Sequence, residues 1–468
     1  MDILRNLLLN TDSYKASHYL QYPPGTNGMF SYIESRGGEF DETVFFGLQI
    51  LLKEYLGRPF TAGDIDEARD LLTAHGEPFN EAGFRYILQR YGGYLPLRIR
   101  AVPEGSVVPG LNALVTVECD DPQAFWAASY AETLLLRVWY PITVATLSRS
   151  VKKLIKGFLD ETSDDPAGQI AFKLHDFGAR GVSSAESAAI GGCAHLVNFM
   201  GTDTVSALLA ARQYYGEPLA AFSIPAAEHS SITSWGRDNE VEAYRNMLRR
   251  FARPGALVAV VSDSYDIYHA VDKLWGEALR QEVIDSGATV VIRPDSGYPA
   301  EVVLKTAVLL ERRFGSVTNG KGYRVLNNVR IIQGDGINPR SIREILAGLK
   351  VNGFAADNVA FGMGGALLQQ LNRDTLRFAM KCSAIRVGEE WRDVFKDPIT
   401  DPGKVSKAGR LTLQRHAASG AWRTVARQGW SDRDDGSPGW QEALVDVWDS
   451  GRLLKDWTLA EIRERAAL

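Results

Sequence analysis

Three aspartates stand at the ends of predicted strands, where acidic side chains can bind a cation or a sugar. Asp266, Asp295 and Asp335 each follow a short apolar run of β-type residues. Carboxylates that converge on one face of a barrel could bind Mg²⁺ or ribose hydroxyl groups. Each aspartate could instead cap the helix that follows it, because Asp is common at helix N-caps. The recurrence of an acid at three matching strand ends favours a binding site.

Glycines follow two of the predicted strands and point to phosphate binding. Gly364 and Gly365, in the segment GMGGALLQ, lie where a strand ends and a helix begins. The free N–H groups of a helix N-terminus can cradle a phosphate. Gly334, beside Asp335, would let a ligand approach the backbone closely. The chain has no G-x-x-x-x-G-K-[ST] loop, which argues against a P-loop nucleotidase.

One histidine, two aromatic residues and several cations could complete a site. His229, in AAEHSS, is either a hydrogen-bonded cap residue or a titratable or nucleophilic imidazole, and its spacing does not decide between them. Arg180 and Arg293 lie in strand-end clusters and could bind phosphate in a bidentate manner. Phe177 and Tyr14 could stack on a flat ring or belong to the core. Further cations are phosphate ligands or solvated surface charges: Arg373, Lys381, Lys396 and Lys404.

The elements that must position these residues alternate between strand and helix. Seven apolar runs each end in a cluster of small or polar residues: Ile170–Leu174, Leu196–Met200, Ala220–Ile224, Leu257–Val261, Thr289–Ile292, Val329–Ile332 and Asn358–Phe361. Helix-like stretches separate most of them, which is typical of a parallel sheet. Polar residues after every run favour a (β/α) barrel, whose active face lies at the carboxyl ends of its strands. An open doubly wound sheet would gather its ligands at one switch point.

The two flanks of this region mix short strands with amphipathic helices, and neither forms a complete domain. One helix predicted in the first flank, Ser129–Phe158, should be broken or kinked near Pro141. We therefore predict an α/β protein in which an irregular (β/α) barrel is inserted into a second, α+β domain built from both chain termini. The barrel is expected over residues 166–369, and the second domain over residues 1–165 plus 370–468.

Composition excludes several classes of protein. The 468 residues carry 52 Lys plus Arg and 57 Asp plus Glu, a formal charge of -5, which argues against a nucleic-acid-binding protein. Three widely spaced cysteines argue against a disulfide framework and favour a reducing compartment. No apolar run is long enough for a transmembrane helix, and the start of the chain is unlike a signal peptide. We expect a cytoplasmic protein that acts on neither nucleic acid nor membranes.

Twelve segments together resemble one family, the nicotinamide phosphoribosyltransferases, which are type II phosphoribosyltransferases of NAD salvage. The matching segments are TDSYKASHYLQYPP, SYIESRGG, HDFGARGVSS, GTDTV, SIPAAEHSSIT, VVSDSYDIYHA, IRPDSG, IIQGDG, AFGMGGALLQ, NRDTLRFAMKCSA, VFKDP and KAGRL. The resemblance implies a homodimer with active sites at the subunit interface, each at the mouth of an α/β barrel. It implies transfer of a phosphoribosyl group from 5-phosphoribosyl 1-pyrophosphate to nicotinamide, giving nicotinamide mononucleotide and pyrophosphate.

The resemblance also implies a role for each matching residue. Phe177 would stack on one face of the pyridine ring, and Tyr14 of the partner subunit would stack on the other. Asp203 would accept a hydrogen bond from the carboxamide. His229 would be phosphorylated by ATP, which would make ATP a co-substrate beside Mg²⁺. Arg180 and Arg293 would lie near the pyridine. The implied phosphoribosyl, pyrophosphate and metal ligands are Arg36, Asp266, Asp295, Gly334, Asp335, Gly364, Gly365, Arg373, Lys381, Lys396 and Lys404, with Asp266 and Asp295 as the metal ligands.

Three other interpretations stay open at this point. A nicotinate phosphoribosyltransferase would share the fold and the phosphoribosyl donor. A barrel lyase or aldolase acting on a sugar phosphate would need a Schiff-base lysine on a strand, and Lys173 is the lysine nearest to one. A ligand-binding protein without catalysis should have lost His229, Arg293 or Asp295, and all three are present.

Overall fold

A computed structural model describes residues 5–400, 405–426 and 437–468, in which the chain divides into two units. The terminal unit comprises Met1–Thr146, Tyr214–Gly216 and Asn372–Ala467, and the central unit comprises Leu147–Gln213, Glu217–Leu371 and Leu468. The sheets of these units, described below, confirm the predicted α/β class. Within the described residues, no helix has the length and apolar character needed to cross a membrane.

An antiparallel seven-stranded sheet dominates the terminal unit. Its strands, in spatial order, are Glu390–Asp393, Phe378–Val387, Thr26–Ser35, Ala113–Cys119, Arg98–Ala101, Val445–Asp449 and Arg452–Leu453. A second sheet pairs Trp422–Ala426, Leu411–His416 and Trp440–Glu442, and a third pairs Glu42–Val44 with Val107–Pro109. Nearly every residue of Thr26–Ser35 is buried, so this strand runs through the core of the unit.

Short helices cover the sheets of the terminal unit. The helical segments are Leu7–Leu9, Ser13–Leu20, Leu48–Leu51, Leu52–Leu56, Ala62–His75, Glu81–Tyr91, Ala127–Tyr130, Glu132–Leu136, Arg373–Thr375 and Leu459–Arg465. Ala62–His75 begins at a reciprocal cap, because the Thr61 hydroxyl accepts the Asp64 N–H and the Asp64 carboxylate accepts the Thr61 N–H. Gly76, in the left-handed region, ends it.

Six parallel strands form the sheet of the central unit. They are β1 (Leu174–Asp176), β2 (Gly201–Thr202), β3 (Leu257–Val261), β4 (Thr289–Arg293), β5 (Val329–Gln333) and β6 (Val359–Met363). Their spatial order is β2-β1-β6-β5-β4-β3, and all neighbours are parallel. The longer strands are mostly buried, as expected of a parallel sheet with both faces covered.

The segment around Pro225 joins the two edges of this sheet. Phe222 pairs with Gly201 at the β2 edge, and Ala226 pairs with Ala259 of β3, both through isolated parallel bridges. The Ala259 N–H donates to the Pro225 carbonyl at 2.9 Å. Because proline has no N–H, Pro225 interrupts the ladder. The third predicted strand is therefore reduced to two bridges, but it still closes the sheet into a barrel.

Helices alternate with these strands, as predicted. They are Pro166–Ile170, Ala179–Gly181, Ala185–His195, Val205–Tyr215, His229–Thr233, Arg237–Asn239, Glu240–Phe251, Ile267–His269, Ala270–Ala278, Arg280–Ser286, Pro299–Phe314, Pro339–Val351, Ala356–Asn358 and Gly365–Leu368. A hairpin of Ser316–Thr318 and Arg324–Leu326 precedes β5. Helix Trp139–Thr162 contains the boundary between the units.

Two predicted strands are wrong in their bounds. The strand predicted over Ile170–Leu174 begins only at its last residue, because Pro166–Ile170 forms a helical turn whose N-cap is Asp165. The strand predicted over Leu196–Met200 is instead Gly201–Thr202, and helix Ala185–His195 extends to the start of the predicted range.

The break predicted near Pro141 is confirmed, because helix Glu132–Leu136 ends before Trp139–Thr162 begins. Pro141 lies in the first turn of Trp139–Thr162, where a missing N–H costs no hydrogen bond.

Candidate active site

The loops at the carboxyl ends of the barrel strands surround a cavity of about 570 Å³. Parallel strands place these ends on one face of the barrel. Nine predicted site residues line the cavity: Phe177, Arg180, Asp203, His229, Arg293, Asp295, Gly334, Asp335 and Gly364. Ala179, Thr204, Glu228 and Ser230 complete the lining. The structure thus brings together residues separated by more than 180 positions, all within the central unit.

The aromatic ring of Phe177 rests on a glycine. The Phe177 N–H donates to the Met363 carbonyl at 3.0 Å, which ties the loop after β1 to the end of β6. A Cβ atom on Gly362 would lie 1.9 Å from the ring, and one on Gly334 would lie 3.3 Å from it. Gly362 is therefore required for the ring to line the cavity. This role was not predicted, although Gly362 lies in the GMGG segment that indicates phosphate binding.

Asp203 is held at its backbone and at its carboxylate. Its N–H donates to the Asp176 carbonyl at 2.9 Å, and the Ser223 hydroxyl donates to its Oδ1 at 2.6 Å. Asp203 itself is exposed to the cavity that it lines. A fixed and accessible carboxylate can accept a hydrogen bond from an amide N–H of a ligand.

His229 is oriented by a buried aspartate that sequence analysis missed. The Nε2 atom of His229 lies 2.9 Å from Oδ1 of Asp263, whose side chain is 4% exposed. The other oxygen of Asp263 accepts the Asp295 N–H at 3.0 Å and the Ser296 hydroxyl at 2.5 Å. The Nδ1 atom of His229 lies 4.0 Å from Oδ2 of Asp295. The imidazole is therefore anchored through Nε2. The feature of the sequence that could have identified Asp263 is its position two residues after the end of β3.

Arg293 and Asp295 form a charged pair after β4. The Nη2 atom of Arg293 lies 3.7 Å from Oδ2 of Asp295. The Nε atom of Arg293 is buried and has no hydrogen-bond partner in the described part of the chain. Burial raises the pKa of Asp295, as does the Asp263 carboxylate, whereas Arg293 and His229 lower that pKa. A buried donor without a partner is a group that a polar ligand would satisfy.

A second cavity of about 260 Å³ adjoins the first, since both are lined by Gly334, Asp335 and Gly364. Gly336, Ile337, Asn338, Gly365, Ala366 and Gln370 complete the second cavity. A Cβ atom on Gly365 would meet no atom within 4 Å, so the packing of the protein does not itself require this glycine. A backbone-lined pocket with spare room beside it is suited to a phosphate group.

Asp266 does not line either cavity. Its Oδ1 accepts the N–H groups of Tyr268 and His269 at 2.9 and 3.1 Å, as the N-cap of helix Ile267–His269. Of the two interpretations that the sequence left open for this residue, the structure shows the cap.

The other predicted cations lie in the terminal unit, except Lys404, which lies outside the described residues. Burial lowers the pKa of Lys381, Glu132 raises it, and Arg36, Lys396 and Lys15 lower it further. Three cations thus lie close enough to Lys381 to repel its charge. Such a cluster is suited to a polyanion. Lys15 was missed, although it adjoins Tyr14 in the TDSYK segment.

Three further contacts describe the surroundings of this cluster. The Nε atom of Arg36 donates to Glu34 at 2.9 Å. Tyr14 is 53% exposed, and its ring meets His18 edge-on with centroids 4.8 Å apart. Arg373 lies 3.3 Å from Asp374, and both are exposed.

Lys173 cannot act as a Schiff-base lysine in its observed position. It precedes β1 and therefore lies at the amino end of the barrel, away from the loops that line the cavity. Its Nζ atom is buried and donates to the carbonyls of Ala356, Asp357 and Val359 at 3.0–3.2 Å. This arrangement removes the support for a lyase or aldolase.

The described residues contain no group of three or more His, Cys, Asp or Glu side chains that could hold a metal ion. A Mg²⁺ ion in proteins often keeps most of its ligands as water and substrate phosphate, with one or two carboxylates from the chain. The carboxylates that line the cavity, Asp295 and Asp335 among them, suit an ion that is held in this way.

Family models match most of the chain. The nicotinate phosphoribosyltransferase (NAPRTase) family model matches residues 172–429, which is more than half of the 468 residues. The chain belongs to the nicotinate phosphoribosyltransferase family. A model of the nicotinamide phosphoribosyltransferase N-terminal domain matches residues 6–99 of this family member. The predicted resemblance to the nicotinamide phosphoribosyltransferases is confirmed. The chain is a pentosyltransferase.

Two curated relatives align with this chain over nearly its whole length. A protein of Xanthomonas campestris pv. campestris named nicotinamide phosphoribosyltransferase is 64% identical over 466 residues, which cover 100% of this chain and 99% of the relative. A protein of the same name from Acinetobacter baylyi is 32% identical over 503 residues, which cover 99% of this chain and 97% of the relative.

Two solved structures share the fold of this family member. The nicotinate-nucleotide pyrophosphorylase from Pyrococcus furiosus has a TM-score of 0.62 at 16% identity and covers 98% of this chain and 95% of its own. Human nicotinic acid phosphoribosyltransferase has a TM-score of 0.56 at 16% identity and covers 97% of this chain and 92% of its own. At this identity the likeness concerns the fold alone.

Proposed function

We propose that this enzyme transfers the phosphoribosyl group of 5-phosphoribosyl 1-pyrophosphate to nicotinamide, forming nicotinamide mononucleotide and pyrophosphate in NAD salvage. The observation that carries the proposal is the central-unit cavity, in which Phe177, Asp203 and the Arg293–Asp295 pair converge. The relative that is 64% identical and named nicotinamide phosphoribosyltransferase supports the same substrate.

Recognition of nicotinamide follows from two side chains. The Phe177 ring offers an aromatic surface for the pyridine ring. The Asp203 carboxylate, held by Ser223, accepts a hydrogen bond from the carboxamide N–H₂ of nicotinamide. Nicotinate would present a second carboxylate to Asp203, and two like charges in a confined site repel each other. The carboxylate of Asp203 therefore favours nicotinamide over nicotinate.

The donor would occupy the rest of the cavity. Asp295 and Asp335 accept hydrogen bonds from the ribose hydroxyl groups, and the glycine-lined second cavity takes the 5′-phosphate. Arg293 and Arg180 offer cations to the phosphate groups. The ring nitrogen of nicotinamide carries no proton, so its attack on the anomeric carbon requires no general base. Catalysis consists of aligning these two atoms and stabilising the charge on the departing pyrophosphate.

Mg²⁺ would enter the site on the pyrophosphate of the donor. Such an ion takes most of its ligands from substrate phosphate and water, with one or two carboxylates from the chain. Asp295, a cavity carboxylate, could contribute one ligand, whereas Asp266 is occupied as a helix cap. The ion would neutralise charge on the leaving group.

ATP would act by phosphorylating His229. Anchoring of Nε2 by Asp263 leaves Nδ1 as the nitrogen that attacks the γ-phosphoryl group of ATP, releasing ADP. The phosphoryl group adds about two negative charges beside the pyrophosphate site. The test is an acid-labile label transferred from γ-labelled ATP. His229→Ala should abolish the label, whereas its persistence would move the modification to another residue.

A homodimer would supply the remaining ligands. The lining of the two cavities includes two arginines and no lysine among the described residues, which is little charge for a donor with three phosphate groups. The terminal unit of a second copy would provide Tyr14 and the cation cluster around Lys381. Light scattering at assay concentration should give twice the chain mass of 51.5 kDa. A monomer with full activity would contradict this part of the proposal.

The reaction itself is tested by incubating the protein with the donor, Mg²⁺ and one pyridine at a time. Pyrophosphate and mononucleotide should form in equal amounts with nicotinamide, and an Asp295→Ala variant should lose most of this activity. Turnover with nicotinate alone would favour the alternative function. No turnover with either pyridine, with or without ATP, would contradict the proposal.

A further inference from the structure

Asp176, the last residue of β1, bonds to both loops that carry the pyridine-binding residues. Its Oδ1 accepts the Gly178 N–H at 2.7 Å, which closes a tight turn around Phe177. Its backbone carbonyl accepts the Asp203 N–H at 2.9 Å. The side chain is fully buried and lines neither cavity. One residue outside the cavity therefore holds the backbone on both sides of the pyridine pocket.

The turn around Phe177 leaves its ring little freedom. The Phe177 N–H is bonded to the Met363 carbonyl, and the ring is in contact distance of Gly362. Without the bond from Gly178 to Asp176, the Phe177–Gly178 peptide could rotate and lift the ring from β6. Within the described residues, the side chain of Asp176 makes no hydrogen bond to the donor-binding loops after β4, β5 and β6, which should stay in place.

We propose that Asp176 is a positioning residue for the nicotinamide pocket, which sets the geometry of Phe177 and Asp203 without touching the substrate. This inference rests on the proposed function. It concerns binding of the pyridine and not of the phosphoribosyl donor. The distinction follows from the contacts, because the side chain of Asp176 bonds to Gly178 in the turn after β1 and its carbonyl accepts the Asp203 N–H after β2.

Protonation of Asp176 gives a readout that a purely structural role would not move. The pKa of Asp176 is raised to about 6, chiefly by burial and also by the nearby Asp203 carboxylate, whereas the Gly178 N–H opposes the rise. The hydroxyls of Thr202 and Thr204 lower it. As the pH falls through this value, Oδ1 loses its charge and accepts the Gly178 N–H less strongly. Burial lowers the pKa of the neighbouring His175, whereas the Asp203 carboxylate raises it, so a His175→Gln variant is the control for the pH profile.

The experiment compares Asp176→Ala and Asp176→Asn with the wild type, at saturating concentrations of the other substrate. The alanine variant removes the acceptor, so the KM for nicotinamide should rise by about 10-fold or more while the KM for the donor changes by less than about two-fold. The asparagine variant keeps a neutral acceptor for Gly178. Its KM for nicotinamide should be restored to within about three-fold of the wild type and should lose the rise that the wild type shows below about pH 6.

Each outcome decides between the alternatives. Equal changes in both KM values, or a wild-type pH profile in Asp176→Asn, would overturn the inference. If Asp176→Ala does not fold, the pH dependence of the KM for nicotinamide in Asp176→Asn tests the inference on its own. A wild type that does not turn over nicotinamide at all would instead contradict the proposed function, so the two failures are distinguishable.

Discussion

The Nε2 atom of His229 and the Oδ1 atom of Asp263 lie 2.9 Å apart, and Asp263 is buried behind the cavity that His229 lines. An Asp263→Ala substitution should release the imidazole and reduce ATP-dependent labelling of His229. Because a hydrogen bond to a charged group contributes about 1.5–3 kcal/mol, the initial rate of labelling should fall by about 10- to 150-fold. The measurement is acid-labile label per subunit against time.

Ser296→Ala is the matched comparison for that experiment. It removes one neutral donor to Asp263 and leaves the bond to His229 in place, so its effect should stay within a factor of about 10. A full labelling rate in Asp263→Ala would show that Asp263 does not orient the imidazole.

Exchange of Asp203 for asparagine should weaken the preference for nicotinamide. The neutral amide removes the repulsion of nicotinate, so the ratio of kcat/KM for the two pyridines should shift by about 10- to 100-fold toward nicotinate. Ser223→Ala, which removes only the hydroxyl that holds Oδ1, should shift the ratio less. Unchanged selectivity in Asp203→Asn would remove this residue from substrate discrimination.

Alanine at Gly362 and at Gly365 should have different effects. A Cβ atom at position 362 would overlap the Phe177 ring, whereas one at position 365 meets no atom within 4 Å. Gly362→Ala should lower the free energy of unfolding by about 1–3 kcal/mol and raise the KM for nicotinamide. Gly365→Ala should melt within a degree or two of the wild type, in keeping with an exchange that adds no strain, and should raise only the KM for the donor. Thermal melts and the two KM values check both statements, and a reversed pattern would contradict the assigned pockets.

Lys173 should make the free energy of unfolding depend on pH between about 7 and about 10. Burial lowers the pKa of Lys173 to about 7, whereas an unfolded lysine titrates near about 10.4. Between these values the unfolded chain binds more protons than the folded chain, so this residue makes the free energy of unfolding rise with pH. Lys173→Met should reduce that slope by up to about 1.4 kcal/mol per pH unit. Urea unfolding at several pH values from about 7 to about 10 measures it, and parallel slopes in the two proteins would contradict the assignment.

The sequence predicted the barrel and most of its cavity because both follow from local pattern. Buried β-type runs that end in polar clusters indicate a parallel sheet, and the carboxyl ends of its strands must share one face. Phe177, His229 and Asp295 were found this way. The bounds of the third strand were less predictable, since Pro225 reduces that strand to two isolated bridges.

Roles that depend on packing could not be read from spacing. Asp263 and Asp266 lie three residues apart in one loop, and only the fold shows that the first bonds to His229 while the second caps a helix. Gly362 likewise differs from Gly365 only through the ring that rests on it.

Competition between the two pyridines tests the central claim most directly. Equal concentrations of nicotinamide and nicotinate are offered to the enzyme with a limiting pool of 5-phosphoribosyl 1-pyrophosphate and Mg²⁺, and the mononucleotide products are separated by mass. We expect nicotinamide mononucleotide to be the main product. A main product of nicotinate mononucleotide, or no mononucleotide at all, would contradict it.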